Sequence, residues 1–76
     1  MTTAERRRAA AQRVRAAEDA VSELRAELGG AGVVLPSLRV DPVSCAAQDA
    51  QPLVELGRCN LTTVRQLVAA LRERRP

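Results

Sequence analysis

The sequence predicts an α+β fold with a long N-terminal helix, a short antiparallel β-hairpin and a C-terminal amphipathic helix. Three observations support this prediction. Apolar residues recur every three or four positions in residues 10–28, two short segments alternate apolar and polar residues, and the spacing of three and four returns after Asn60. We expect two units: a helix over residues 1–30 with a heptad seam, and a ββα module over residues 31–76.

The first helix is predicted from residues 3–28, which contain neither Gly nor Pro. At about 1.5 Å per residue, this stretch of about 26 residues would be roughly 39 Å long. Its apolar positions have the a/d spacing of a possible coiled-coil seam. The seam consists of Ala10, Val14, Ala17, Val21, Leu24 and Leu28. Gly29 and Gly30 follow where helices often end in a left-handed cap.

The hairpin is predicted from two short segments, the first between Pro36 and Pro42 and the second between Pro52 and Gly57. Residues 37–41 alternate polar and apolar side chains, and residues 53–56 form the second segment, which Gly57 ends. In the connector, we expect Ser44 to cap one helical turn over residues 45–48. A two-stranded hairpin is marginal alone, so it needs a helix over its apolar side.

The last helix is predicted from about Leu61 to Arg74, with Asn60 as a favourable N-cap residue. Thr63 and Gln66 offer a second possible cap one turn later. Its apolar stripe consists of Leu61, Val64, Leu67, Val68 and Leu71. We expect this helix to cover the hairpin.

The charges on the first helix favour an antiparallel homodimer. Its first half is basic, with Arg6, Arg7, Arg8, Arg13 and Arg15, and its second half is acidic, with Glu18, Asp19, Glu23 and Glu27. This order opposes the helix macrodipole, whereas an antiparallel copy would set basic beside acidic residues. Such pairing also places Ala10 opposite Leu28 and Val14 opposite Leu24. The alternative is that the seam packs on the hairpin and the last helix of its own chain.

Several classes of chemistry are disfavoured by composition. The twelve basic residues are all Arg, and the lack of His, Lys and Tyr removes the commonest general bases. We therefore expect no enzyme activity and no cofactor. Two Cys without His do not supply the four ligands of a structural zinc site, so we expect no metal. No apolar run reaches the length of a membrane span, and no secretory signal is visible, which favours the cytoplasm and reduced thiols.

The sequence thus favours a homodimeric, non-enzymatic protein-interaction or regulatory module, with a further protein partner as an option. The alternative is a nucleic-acid-binding regulator that uses the five arginines of the first half of the helix. We rank it second because the net charge is only +3 and no aromatic side chain offers base stacking.

Two segments resemble small uncharacterised proteins of high-GC actinobacteria. They are residues 35–42, LPSLRVDP, and residues 52–60, PLVELGRCN. The resemblance covers about the C-terminal half of the chain and implies no activity.

Overall fold

A computed structural model describes residues 2–47 and 51–74 and shows the predicted α+β fold. The elements follow one another as helix α1 (Thr3–Gly30), strand β1 (Arg39–Asp41), a 3-10 helix (Pro42–Cys45), strand β2 (Leu53–Glu55) and helix α2 (Leu61–Glu73). Within the described ranges, no helix is both long enough and apolar enough to cross a bilayer.

Helix α1 ends two residues later than the sequence predicted. Gly29 and Gly30 belong to the helix, and the left-handed residue is Gly32, with φ of 77°. The N–H of Gly32 donates to the carbonyl of Gly29 at 3.1 Å, and the N–H of Val33 donates to that of Leu28 at 2.8 Å. These two bonds form a Schellman motif, in which apolar residues on both sides of the turn pack together. Val33 and Leu28 are both buried, so the turn anchors the loop in the core.

The two strands pair antiparallel, as predicted, with Val40 opposite Val54. Arg39 is opposite Glu55, and their side chains form an ion pair at 2.8 Å. The helical turn expected over residues 45–48 is instead a 3-10 helix at Pro42–Cys45, and Gln48 lies outside the described residues.

Asp41, not Ser44, caps the 3-10 helix, because its carboxylate accepts the N–H of Val43 at 3.1 Å. Ser44 joins the connector to the sheet: its hydroxyl donates to the carbonyl of Asp41 and accepts the N–H of Leu53 at 2.8 Å.

Helix α1 covers the hairpin, and the prediction that the last helix does so is wrong. Contacts join α1 to both strands and to the 3-10 helix. The buried apolar residues come from α1, from the loops and from the 3-10 helix, and they are Ala17, Val21, Leu28, Val33, Leu38 and Cys45. Residues Leu61–Glu73 of α2 include no buried residue.

The start of α2 is the one predicted. The side-chain oxygen of Asn60 accepts two hydrogen bonds from Thr63, one from its backbone N–H at 2.9 Å and one from its hydroxyl at 3.0 Å. This N-cap satisfies a backbone donor that has no partner within the helix.

Candidate interaction surface

The predicted coiled-coil seam of α1 is largely occupied by its own chain. Ala17, Val21 and Leu28 are buried, while Ala10, Val14 and Leu24 are half-buried. Side chains buried in the chain's own core have little surface left for a second helix. The structure therefore corresponds to the alternative in which the seam packs within its own chain, and pairing of two copies through it stays a prediction that would require the core to open.

The five arginines predicted for nucleic-acid contact do not share one environment. Arg13 is half-buried, and its Nε donates to the carbonyl of Cys45 at 3.1 Å, so its side chain has a structural role. The other four are exposed on the first half of α1, and they are Arg6, Arg7, Arg8 and Arg15. The structure thus keeps four of the five candidates accessible to a phosphate group.

Sequence reasoning missed a second structural arginine. Arg25 extends from α1 to the segment before β1, where its Nη2 donates to the carbonyl of Leu38 at 3.0 Å. Arg13 and Arg25 together hold the connector and the segment before β1 against one side of α1. Because Arg is abundant in this chain, no sequence signal distinguished these two from its other arginines.

Four large exposed apolar side chains lie on one stripe of α2, and others are found elsewhere at Val34, Val43, Leu53 and Leu56. We call the four on this helix the α2 stripe: Leu61, Val64, Val68 and Leu71. The outer leucines are 73% and 62% exposed, and the two valines are 42% and 40% exposed. The four positions are spaced three, four and three, so they share one side of the helix. In the folded chain this side is turned to solvent rather than to the hairpin.

A groove between α1 and α2 continues this apolar surface. It encloses about 270 Å³ and is lined mainly by Leu24, Leu28, Ala31, Leu67, Ala70 and Leu71. An ion pair at 2.9 Å between Arg74 and Glu27 also lines the groove and joins the two helices. Leu71 belongs to both the groove and the α2 stripe. Because both partners of the ion pair are well exposed, it contributes at most about 1 kcal/mol.

The two cysteines are both free thiols, in contrasting surroundings. Cys45 is 1% exposed in the core, and Cys59 is exposed just before α2. Among residues 2–47 and 51–74, no group of three or more His, Cys, Asp or Glu side chains is placed to hold a metal ion.

Comparison with known proteins gives no relative for this chain. No family model matches it, and neither a curated protein nor a solved structure matches it. The geometry of the chain itself therefore carries the functional argument.

Proposed function

We propose that this chain is a small non-enzymatic protein-interaction or regulatory module that binds its partner through the α2 stripe. One observation carries the proposal: four large apolar side chains are exposed side by side on one helix. Contiguous exposed apolar surface of this kind is typical of interaction sites. Two free thiols support a reducing compartment, so we place the module in the cytoplasm. We also propose that the chain is related to small actinobacterial proteins, on the basis of residues 35–42 and 52–60.

The length of α2 supports this role. An isolated helix of 13 residues is marginal in water, and most helical stability in proteins comes from the packing of an apolar side. The groove beside α1 covers one flank of α2, at Leu67 and Ala70, and leaves the α2 stripe exposed. A partner on the stripe would supply the missing packing, and α2 would then act as a helix that docks by its apolar side.

The test uses an amphipathic helical peptide with four leucines at the spacing of the α2 stripe and with uncharged flanks. We expect it to shift the backbone amide NMR signals of residues 61–71 in the full chain, because its leucines cover the same surface. The matched control is the same peptide with Gln in place of each Leu, and it should leave those signals unchanged. If the Leu peptide causes no change in residues 61–71 at a concentration where the chain is monomeric, the proposal is wrong.

Nucleic-acid binding is the second candidate, and the exposure of Arg6, Arg7 and Arg8 on the first turns of α1 favours it. Contact with phosphates would give a log-log salt slope of about −0.9 per neutralised phosphate. Replacing these three residues with Gln should flatten that slope on every duplex sequence alike. Tight, sequence-selective binding at physiological salt would place this function first.

A further inference from the structure

The α2 stripe is a surface that another copy of the same chain can cover. We propose that a second copy covers it, with the two α2 helices antiparallel about a two-fold axis. In this arrangement Leu61 packs against Leu71 of the other copy, and Val64 packs against Val68. The inference rests on the proposed function, because it names the partner of the same surface.

The order of the side chains along the stripe supports a two-fold contact. Read from either end, the stripe has the sequence Leu, Val, Val, Leu with spacings of three, four and three. An isologous interface needs a surface that is complementary to itself, and an antiparallel pair of such stripes forms four matched layers. Outer layers of Leu and inner layers of Val then close the contact without an unpaired position.

One edge of the interface opposes association. Arg65 and Arg72 each follow a stripe residue, so the antiparallel pair brings Arg65 of one copy near Arg72 of the other. Both side chains are exposed, so water screens the repulsion between them and keeps it weak. The burial of four apolar side chains from each copy outweighs this repulsion, with the larger share from the more exposed Leu61 and Leu71.

The groove beside α1 extends the interface beyond one helix. Leu71 borders both surfaces, so a second copy on the α2 stripe also approaches Leu24 and Leu67. The contact thus reaches the groove between α1 and α2. Association supplies the small chain with apolar burial that it lacks alone.

Site-specific cross-linking tests the register. In a Cys59→Ser background we would combine Leu61→Cys with Leu71→Cys and oxidise the thiols. The two positions lie about 15 Å apart along one helix, whereas a disulfide needs Cα atoms within about 7 Å. A bond between them must therefore join two copies. We expect a covalent dimer whose cross-linked peptides contain residue 61 of one chain and residue 71 of the other.

The matched control combines Gln66→Cys with Glu73→Cys in the same background. Both residues are exposed and lie on the other side of α2, so little dimer should form. Bonds that join 61 to 61 and 71 to 71 would show parallel helices and overturn the proposed register. Equal cross-linking of the test and control pairs would reflect random collision and overturn the interface.

Sedimentation of the full chain separates this inference from the proposed function. We expect a dimer that Val68→Asp weakens by about 100-fold, because both copies then bury an unpaired charge. Gln66→Asp should leave the dimer unchanged, and circular dichroism should show that both variants keep α1. A chain that is monomeric at every concentration, while the Leu peptide still shifts residues 61–71, overturns the second copy alone. A chain that is monomeric and whose residues 61–71 also show no NMR shift with the Leu peptide overturns both proposals.

Discussion

At Gly57 the chain that leaves β2 closely approaches the loop before β1. Gly57 has φ of 80°, a backbone conformation that residues with a Cβ rarely adopt. A Cβ added at this position would also collide with the Cβ of Ser37. Two independent constraints therefore require glycine here. The sequence identified this residue only as the end of a strand, because the close approach depends on a residue twenty positions earlier.

Replacing Gly57 with Ala should destabilise the chain by at least about 1–2 kcal/mol, through backbone strain and the collision with Ser37. Gly29→Ala is the matched control. Gly29 is helical, and the space that a Cβ would occupy there is open, so Ala should be neutral or stabilise by up to about 1 kcal/mol. Urea unfolding of both variants checks the pair. Equal stabilities would show that Ser37 and Gly57 are not in contact in solution.

At the scale of elements, helix α1 is held to the rest of the fold by apolar burial and by two arginines. Arg13 and Arg25 donate to the carbonyls of Cys45 and Leu38, which lie in segments that α1 covers. A hydrogen bond from a charged donor contributes about 1.5–3 kcal/mol when it is sheltered from water, and less at Arg25, which is exposed. These bonds and the heptad spacing of apolar residues together determine which side of α1 faces the sheet.

Arg25→Gln should lower the free energy of unfolding by about 1–2 kcal/mol, because the carbonyl of Leu38 loses its charged donor. Arg15→Gln, at an exposed position on the same helix, should change stability by no more than about 0.5 kcal/mol. Thermal unfolding at equal chain concentration compares the two. A similar loss in both variants would point to helix propensity or net charge rather than the hydrogen bond.

Element types were predictable from sequence because they depend on local signals. The heptad spacing located α1, the alternation located both strands, and Asn60 located the start of α2. The packing partner of each helix was not predictable in the same way. Both helices carry stripes of similar spacing, and spacing identifies the apolar side without identifying what it covers. Val33 was missed as a core residue because it stands in a loop, where no periodicity marks burial, whereas the alternation over residues 37–41 did mark Leu38.

At the scale of the whole molecule, the fold places some apolar residues in a small core and others on a surface stripe. The core lies between α1 and the sheet, and the α2 stripe lies outside it. A chain of 76 residues has little core to spare, and self-association is one route by which small domains gain stability. The candidate site was therefore predictable only in part. The sequence predicts association of two copies through the α1 seam, and this stays a prediction. It identified the apolar stripe of α2 but expected that stripe to cover the hairpin.

Two valines in the middle of the two helices separate these roles. Val21 is 5% exposed in the core, and Val68 is 40% exposed on the α2 stripe. Val21→Ala should cost about 1–3 kcal/mol and lower Tm by several degrees at every concentration. In a dimer Tm rises with chain concentration, because association stabilises the folded state by mass action. Val68→Ala should therefore flatten the rise of Tm with concentration while changing Tm little at the lowest concentration. Calorimetry over a range of chain concentrations measures both effects. If Val68→Ala instead lowers Tm uniformly, α2 is packed inside the monomer and the stripe is not the interface.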